Sequence, residues 1–406
     1  MTSAGAVRDV IVVGGGPAGA ATAGFLARAG HDVLVLDEAR FPRDKVCGES
    51  VSPEAWRLLA ELGAADAVRA LRPHPIRGMR LVAPDGTSFC GDYDQTQEAG
   101  FAARRPALDA ALLATARAAG AEVREGVRVS GLLGQGGPAR AVIAENGGGP
   151  EVLRARILVA ADGRRSVVAR RLGLLREHSR LRKYAVRGHW EGMQGLQERG
   201  EMHVGAGGYC GVAPLSPASA NVTFVLDRAQ MGAAGGDLER FYRDRLRRWP
   251  SVAERLAGAR LLEAPRAIGP LAIQAERVWA PGVLLVGDSA GFYDPFTGEG
   301  VTLALRSAEL AAGVASGALR SNRAGATADL SEYDRRRRRA TRDKFRVNRL
   351  LQEVVARPVV ANALARRLLR RPDLADQLVG IAGDLVPARS ALGPRFLYEL
   401  LTGSAL

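Results

Sequence analysis

A glycine-rich turn near the start of the chain constrains its fold more than any other feature. The apolar residues 10–13 lead into Gly14, Gly16 and Gly19, and a second apolar run closes on Asp37. In this spacing the first glycine permits a tight turn, the second lets the backbone approach a pyrophosphate, and the third lets the following helix pack on the sheet. The helix N-terminus favours the pyrophosphate charge, and Asp37 is placed to accept hydrogen bonds from a ribose. The segment is therefore predicted to be a dinucleotide-binding βαβ unit.

The size and cysteine content of the chain bound its class. A length of 406 residues suits two domains. The first strand leaves no room for a signal peptide, and no run of about 18 apolar residues predicts a membrane span, so we expect a cytoplasmic protein. Cys47, Cys90 and Cys210 form no Cys-x-x-Cys pair, which fits a reducing compartment and gives no metal site.

Positive charge is concentrated in one segment. The net charge is +14, and residues 331–371 hold fourteen Lys and Arg against four acids, most densely at 335–339. A solvated helix face is one interpretation, with attraction to anionic lipid headgroups or to an acidic protein as the alternatives. No nucleic-acid-binding motif accompanies the charge. Apolar residues at helical spacing could dock this helix on the core: Tyr333, Ala340, Val347, Leu351 and Val354.

Patterns elsewhere predict alternating helices and strands. A hairpin is predicted over 76–93, with its turn at 84–86, and a separate antiparallel sheet over 184–227. Short apolar strands are predicted at 157–160 and 283–286. Helices are expected from 52 or 53 to 62, near 107–119, within 237–257 and over most of 330–401. The glycine-rich patches 134–137 and 147–149 are typical of hairpin turns.

Two more strand ends carry an acid beside a glycine. A strand ends at Asp162-Gly163, another ends at Gly287-Asp288, and Arg105-Pro-Ala-Leu stands before both. Together with the opening turn, these resemble the elements of the flavoprotein superfamily that holds para-hydroxybenzoate hydroxylase, geranylgeranyl reductases and flavin-dependent halogenases. The resemblance covers roughly residues 8–320. It implies that Asp288 binds the ribityl chain of FAD, that Arg105 contacts the ribityl and phosphate region, and that Asp162 lies near the flavin.

The segment 294–300, Asp-Pro-Phe-Thr-Gly-Glu-Gly, follows directly and begins a helix predicted over 301–313. Its N-terminus would face the pyrimidine edge of the flavin, where the helix dipole stabilises a reduced, anionic ring. Proline and glycine before a helix are also ordinary capping chemistry.

Departures from the superfamily patterns favour its reductase branch. Hydroxylases usually carry a histidine where this chain has Gly291 and an arginine where it has Ala169. Residues 45–49, Lys-Val-Cys-Gly-Glu, resemble the Lys-x-Cys-Gly-Glu segment of geranylgeranyl reductases. Halogenases tend to show two serines where Gly298 and Glu299 stand, and this chain lacks the Trp-x-Trp of the tryptophan-type enzymes.

One departure speaks against a prenyl substrate. Geranylgeranyl reductases resemble one another in a Tyr-x-Trp-x-Phe-Pro motif, where this chain reads Tyr209-Cys-Gly211-Val-Ala213-Pro214. Gly211 and Ala213 would open space beside the ring for a bulkier or differently shaped molecule, although small residues in a strand can serve packing alone. The role of Cys47 has two equal alternatives: a buried structural cysteine, or a cysteine that takes part in redox or proton chemistry.

We predict an α/β fold with a Rossmann-like FAD-binding domain of the glutathione reductase type, an antiparallel β-sheet substrate domain and a C-terminal helical segment. The ranges are 1–75, 100–178 and 268–330 for the first, 76–99 and 179–267 for the second, and 331–406 for the third. The residues expected to bind FAD are Gly14, Gly16, Pro17, Ala18, Gly19, Asp37, Glu38, Lys45, Cys47, Gly48, Arg105, Asp162, Gly163, Gly287, Asp288, Pro295, Gly298, Gly300 and Val301. The flavin-adjacent catalytic candidates are Cys47, Gly298, Glu299 and Gly300.

The predicted function is FAD-dependent reduction of a carbon–carbon double bond in a hydrophobic isoprenoid, alkyl or polyketide molecule. The alternatives are a monooxygenase that hydroxylates an aromatic or polyketide substrate, a halogenase, and a quinone-linked electron-transfer subunit. Because no second Gly-x-Gly-x-x-Gly unit is present, electrons would come from transiently docked NAD(P)H, a flavin reductase or a ferredoxin. Peripheral contact with an anionic membrane is an additional expectation.

Overall fold

The computed structural model describes residues 6–93, 98–133, 140–178, 181–205, 207–232, 235–292, 294–321, 324–325 and 328–402. Within these ranges the chain forms two large β-sheets, two small ones and the helices that cover them. This is the predicted α/β architecture. The predicted domain boundaries remain a prediction.

The first large sheet is mainly parallel and contains the glycine-rich turn. Its strands are β1 (Arg8–Val13), β2 (Val33–Asp37), β8 (Glu122–Glu125), β9 (Arg128–Leu133), β10 (Arg140–Asn146), β11 (Gly149–Ala160), β20 (Trp279–Ala280) and β21 (Val283–Leu285). The order is β20-β21-β11-β1-β2-β8, and β9 and β10 extend β11 as an antiparallel ribbon. Val12 stands opposite Val35 and Val159, and all three are fully buried. Near-continuous apolar strands are expected where helices cover both faces of a parallel sheet.

The glycines of the first turn are required by close backbone approach. Gly14 has a φ of +99°, which side-chain-bearing residues rarely adopt. A Cβ at Gly19 would lie 1.8 Å from the carbonyl oxygen of Gly14. The first helix therefore starts at Pro17 in direct contact with the turn, which confirms the predicted βαβ unit.

The second large sheet joins two stretches of the chain. Its strands are β5 (Gly78–Val82), β6 (Ser88–Asp92), β13 (Lys183–Glu191), β14 (Arg199–Gly205), β15 (Gly208–Pro214), β16 (Ser219–Asp227), β17 (Arg260–Leu261) and β18 (Arg266–Ile268). The predicted hairpin is β5–β6, closed by a hydrogen bond from the Ala83 amide to the Thr87 carbonyl oxygen. Neighbouring strands are antiparallel except β14 and β5, which pair in parallel. The antiparallel prediction for 184–227 is confirmed.

Two small sheets and a set of helices complete the fold. The small sheets contain β3 (Ser50–Val51), β4 (His74–Ile76) and β7 (Gly100–Ala102), and β12 (Leu175–Glu177) with β19 (Ile273–Ala275). The helices are α1 (Pro17–Arg28), α2 (Ala55–Leu62), α3 (Ala65–Arg69), α4 (Arg105–Ala118), α5 (Val167–Arg171), α6 (Arg228–Met231), α7 (Leu238–Leu246), α8 (Pro250–Ala253), α9 (Gly300–Arg320), α10 (Ser331–Val355), α11 (Pro358–Arg370), α12 (Pro372–Ala382) and α13 (Pro394–Thr402).

Helix α9 is longer than predicted. The sequence pattern ended it at Gly313, but it continues to Arg320. A glycine costs a helix interior roughly 1 kcal/mol relative to alanine. Burial of Ala315 and Leu319 against the core outweighs that cost. Of the two glycine-rich patches, 147–149 forms the turn between β10 and β11, and 134–137 lies outside the described residues.

Helix α10 docks on the first sheet through the predicted stripe, with one exception at Ala340. Tyr333 is fully buried, and its hydroxyl donates to the Leu285 carbonyl oxygen at 2.9 Å. Val347 is also buried, whereas Ala340 is exposed and Thr341 is buried instead. Leu351 and Val354 are half-buried, so four of the five predicted positions face the protein. Four of the five arginines at 335–339 are exposed, and Arg335, Arg336 and Arg338 pair with acids one turn away.

We expect Tyr333→Ala to lower the free energy of unfolding by about 3–5 kcal/mol, the usual loss for a buried aromatic side chain. Ala340→Gln, at the exposed position on the same helix, should stay within about 0.5 kcal/mol of wild type. Urea unfolding followed by circular dichroism measures both. Equal stability of the two variants would contradict the docking of α10 through Tyr333.

Candidate active site

A cavity of about 750 Å³ connects the glycine-rich turn to the second large sheet. It is bounded by the carboxyl ends of β1, β2 and β11, by the loop 43–50, by the start of α9, and by residues of β14, β15 and β16. Pockets for small molecules and cofactors are typically 300–1,000 Å³. The cavity is thus large enough for an extended ligand that spans both sheets.

Most residues predicted to bind the cofactor line this cavity. They are Gly14, Gly16, Pro17, Ala18, Asp37, Glu38, Lys45, Cys47, Gly48, Arg105, Asp162, Gly163, Gly287, Asp288, Pro295, Gly298, Gly300 and Val301. Two predicted residues, Gly19 and Glu299, are not among the described residues that line the cavity. Gly19 instead makes the close helix-to-turn contact, as its position in the motif requires.

The end of the cavity at the glycine-rich turn is built around Asp37. Its Oδ2 accepts the Gly15 amide at 2.7 Å, and its Oδ1 accepts the Ala39 amide at 2.8 Å. A carboxylate has about four acceptor positions, so two remain for hydroxyl donors. Arg43 lies close by, with its Nη2 3.2 Å from where a Gly16 Cβ would stand. This end of the cavity therefore offers the Asp37 carboxylate as an acceptor for sugar hydroxyls. It also offers the Arg43 guanidinium and the N-terminus of α1 to a negatively charged phosphate.

Asp162 and Asp288 lie at neighbouring strand ends but have different surroundings. Asp162 Oδ2 accepts the Val167 amide at 2.7 Å, and Ser289 Oγ donates to its Oδ1 at 3.3 Å. Asp162 is thus used within the protein to hold the turn after β11. The Asp288 carboxylate pairs loosely with Lys45, whose Nζ lies 3.5 Å away, and it is partly exposed at the cavity. Asp288 is the more available of the two for hydroxyl groups of a ligand.

Arg105 is tied to Asp109 one turn along α4. Its Nε and Nη2 donate to the two oxygens of Asp109, each at 2.8 Å. Burial disfavours the charge of Arg105, but Asp109 outweighs burial and raises the pKa of the guanidinium. Its predicted contact with the ribityl and phosphate region would have to use the remaining edge of the guanidinium, and that role stays a prediction.

The segment around Cys47 and Glu49 is held by hydrogen bonds from the start of α4 and from β13 and β16 of the second large sheet. Glu49 has a φ of +61°, and its Oε1 accepts the Arg105 amide at 2.9 Å. Its Oε2 lies 2.7 Å from His189 Nε2 and accepts Asn221 Nδ2 at 3.0 Å. Asn221 also donates to the Cys47 carbonyl oxygen at 2.8 Å. Burial opposes ionisation of Glu49, but these hydrogen bonds lower its pKa below the usual range.

A second buried acid, Glu201, lies on the cavity wall in β14. His203 Nε2 is 2.8 Å from its Oε2, and Arg255 donates to both of its oxygens at 2.7 and 2.9 Å. Burial would raise the pKa of Glu201, yet His203 and Arg255 hold it at about 2. Glu201 is therefore an ionised, fully paired carboxylate at neutral pH.

Asp294 connects the cavity wall to the C-terminal helices. Its carboxylate accepts the Tyr209 hydroxyl at 2.6 Å, Lys183 Nζ at 2.9 Å and Gln352 Nε2 at 2.8 Å. Burial and the neighbouring Asp294 raise the pKa of Tyr209 well above its usual range. The Tyr209 ring thus remains a neutral part of the wall, held by Asp294, which Gln352 of α10 holds in turn.

The side chain of Glu299 does not reach the cavity, contrary to its prediction as a flavin-adjacent residue. It points toward α10, where Lys344 Nζ lies 3.2 Å from its Oε1 and also pairs with Asp384. Burial raises the pKa of Glu299 to about 7, with Lys344 opposing and Asp384 adding to the effect. Glu299 immediately precedes α9, and its neighbours Gly298 and Gly300 line the cavity.

Several polar residues of the site were missed by motif analysis. They share an alternating position within otherwise apolar strands and are all buried: Arg187, His189, Glu201, His203 and Asn221. The sequence signal that could have found them is a pair of polar residues two positions apart in a strand, because such residues point to the same side of the sheet. His189 stands directly opposite Asn221 across β13 and β16.

The wall of the cavity away from the glycine-rich turn is apolar. It is formed by Met79, Met202, Ile268, Leu271 and Phe296. The small residues Gly211 and Ala213 also face it, and a Cβ at Gly211 would meet no atom closer than 3.7 Å. A side chain at Gly211 would therefore meet its neighbours in ordinary van der Waals contact, and the predicted space beside a bound ring stays a prediction.

Comparison with known proteins agrees with this geometry. Residues 8–346 match the model of the family described as FAD binding domain. The chain is 31% identical over 319 residues to a menaquinone reductase of Mycolicibacterium smegmatis, covering 75% of each chain. It is 28% identical over 371 residues to a digeranylgeranylglycerophospholipid reductase of Methanocella arvoryzae, covering 86% of this chain and 87% of the relative.

Among solved structures, a flavin-dependent halogenase superposes with a TM-score of 0.81, covering 96% of this chain and 77% of the halogenase. At 21% identity this likeness shows the fold alone. The residues on the cavity wall, the matched family and the related reductases lead to the same conclusion: the chain belongs to the FAD binding domain family and is an FAD-dependent oxidoreductase.

Proposed function

We propose that this oxidoreductase reduces a carbon–carbon double bond of a hydrophobic, isoprenoid-type molecule. The supporting observation is the apolar wall formed by Met79, Met202, Ile268, Leu271 and Phe296, which continues the cavity beyond the predicted cofactor residues. Burying apolar surface contributes about 25 cal/mol per Å², so such a wall favours a hydrocarbon substrate. The related proteins named above are called reductases of menaquinone and of a geranylgeranyl lipid, both of which are isoprenoid compounds.

The residues present fit FAD. Asp37 would accept ribose hydroxyls, the turn at Gly14–Gly16 and the N-terminus of α1 would hold the pyrophosphate, and Asp288 would accept ribityl hydroxyls. Gly298 and Gly300 would let the ring lie against the backbone. Bound FAD supplies the hydride that the reaction needs.

The protein must then provide a proton and exclude water. Glu201 is ionised and paired, and the Tyr209 hydroxyl is engaged by Asp294, so neither is suited to give up a proton. Cys47 is the free cysteine among the described residues that line the cavity, and its thiol carries a proton that can be transferred. We assign Cys47 as the group that delivers the proton to the substrate, in contact with the Glu49 amide at 3.4 Å.

The electron donor follows from the single nucleotide-binding unit. The chain has one βαβ unit with the Gly-x-Gly-x-x-Gly pattern, and in this proposal FAD occupies it, which leaves no such unit for NAD(P)H. NAD(P)H would therefore dock transiently, or a separate flavin reductase or ferredoxin would deliver the electrons. Hydroxylation is the second candidate, because Gly211 and Ala213 place only small residues on the wall that would face an aromatic ring.

The exposed face of the C-terminal helices suggests how a lipid-like substrate reaches the enzyme. Among the described helices, none combines the length and apolar composition of a membrane span. The arginines of α10 are accompanied by exposed apolar residues, Leu350, Val359, Val360 and Leu369, with Val359 80% exposed. Basic and apolar side chains together favour the surface of an anionic membrane. We propose peripheral attachment through this face.

Asp288→Ala should weaken FAD binding by roughly 1–3 kcal/mol, because the ribityl hydroxyls lose their acceptor. Asp244→Ala, which removes an exposed carboxylate of α7 paired with Arg247, should leave FAD affinity unchanged. Titration of the apoprotein with FAD, followed by flavin fluorescence, measures both. Full FAD affinity in Asp288→Ala would contradict the role of that acid.

Anaerobic enzyme with reduced FAD should reduce menaquinone or a geranylgeranyl lipid, giving products heavier by the added hydrogen atoms. Cys47→Ala should lower kcat by about 10²-fold, the usual effect of a lost proton donor, whereas the exposed Cys90→Ala should not. Mass spectrometry of the products measures turnover. Incorporation of heavy oxygen from labelled O₂, with no anaerobic product, would favour the monooxygenase alternative.

The protein should sediment with phosphatidylglycerol vesicles at low salt and be released at high salt, because each nearby basic residue contributes about 1 kcal/mol. The double variant Arg339→Glu/Arg349→Glu should bind at least about 10-fold more weakly. Arg240→Glu/Arg247→Glu, with the same charge change on exposed residues of α7, is the matched control. Equal binding to neutral phosphatidylcholine vesicles would contradict the proposal.

A further inference from the structure

His189 is hydrogen-bonded to a carboxylate on each side. Its side chain is 1% exposed, its Nε2 lies 2.7 Å from Glu49 Oε2, and its Nδ1 lies 2.5 Å from Glu263 Oε1. A neutral imidazole has one N–H and one acceptor nitrogen, so it cannot donate to two ionised carboxylates. Arg104 Nη2 also lies 3.1 Å from His189 Nδ1, so this nitrogen faces a donor as well as the Glu263 carboxylate. The ring can therefore accept at Nδ1 from Arg104 or donate there to Glu263 while Nε2 faces Glu49.

The three side chains run from the cavity wall to the protein surface. The Glu49 side chain is inaccessible to solvent, and the segment around it lines the cavity. The Glu263 carboxylate is 39% exposed. His189 lies between them in β13. Within the described part of the chain, it is the side chain that is hydrogen-bonded to both acids.

The neighbouring charges hold this row in place. Arg104 donates to Glu263 Oε1 at 3.0 Å, and Arg187 approaches the same oxygen at 3.3 Å. Arg187 is paired with both oxygens of Asp44, which also accepts from Arg266. An arginine guanidinium does not lose its proton in proteins. The arginines thus fix Glu263, while His189 remains the group that can exchange a proton between the two acids.

We propose that Glu263, His189 and Glu49 form a proton relay between solvent and the active-site cavity. The imidazolium passes its Nε2 proton to Glu49, which releases a proton into the cavity beside Cys47. Tautomer exchange moves the remaining ring proton to Nε2, and Glu263 reloads Nδ1 with a proton drawn from water. One proton enters the cavity in each cycle and no electrons move. The relay would serve any reaction in this cavity that consumes a proton, whichever substrate is used.

The protonation state can be measured without substrate or turnover. The chain has five histidines, so its ¹⁵N-histidine NMR spectrum is simple enough to assign by substitution. We expect the two ring nitrogens of His189 to exchange between protonated and unprotonated forms, with the signal absent in His189→Gln. Ring nitrogens that keep one fixed protonation state from about pH 5 to about pH 9 in the folded, FAD-loaded protein would overturn the relay.

Proton movement is measured during reduction of the bound FAD by reduced methyl viologen, which delivers electrons without protons. A pH-sensitive dye in weakly buffered solution records proton uptake while flavin absorbance records reduction. In wild type the two should keep pace, and in His189→Gln and Glu263→Gln uptake should be roughly 10²-fold slower. Added imidazole should restore it, because a small acid can replace the missing carrier.

Glu191→Gln is the matched control, since Glu191 is an exposed carboxylate of the same strand that pairs with Arg260 and not with His189. It should behave as wild type. Glu263→Gln changes a partly exposed residue and keeps the contact between His189 and Glu49, so it tests the relay even if His189→Gln fails to fold. Wild-type proton uptake in folded, FAD-loaded Glu263→Gln would overturn the proposal.

Discussion

The contact between Gly19 and the carbonyl oxygen of Gly14 is the constraint on which the remaining structure depends. Because no side chain fits in that space, α1 starts directly against the end of β1. The same contact brings the helix N-terminus to the edge of the cavity, where a phosphate can be stabilised without a dedicated cation. Helix α9 then packs along α1, so the second glycine-containing loop, 298–300, is carried to the same cavity.

A second level of organisation comes from buried ion pairs across the second large sheet. Arg187 and His189 are buried side chains of β13 that pair with Asp44 and Glu49 of the loop beside the cavity. Removing one partner of a buried ion pair leaves an uncompensated charge, which typically costs several kcal/mol. These two pairs therefore hold the sheet against the loop that carries Cys47 and Glu49.

The first sheet and most of the cofactor-binding end could be predicted from the sequence, because their determinants are local. Gly14, Asp37 and Asp288 each lie within a few residues of the strand that positions them. The contacts of His189 and Glu299 could not be predicted, since their partners are distant in the chain: Glu49 is 140 residues from His189. The extent of α9 and the exposed position of Ala340 likewise depend on packing against distant elements, which local periodicity does not record.

The hydrogen bonds of Asp294 divide the site into parts of different origin. The cofactor end is made by the first sheet and its adjoining helices, whereas Tyr209 on the opposite wall is anchored through Asp294 to Gln352 of α10. Changes in the C-terminal helices can thus alter the wall that meets the substrate without disturbing the strand ends that hold the cofactor. A fold built this way can acquire new substrates by substitution in its last helices, while the chemistry of its redox centre is inherited unchanged.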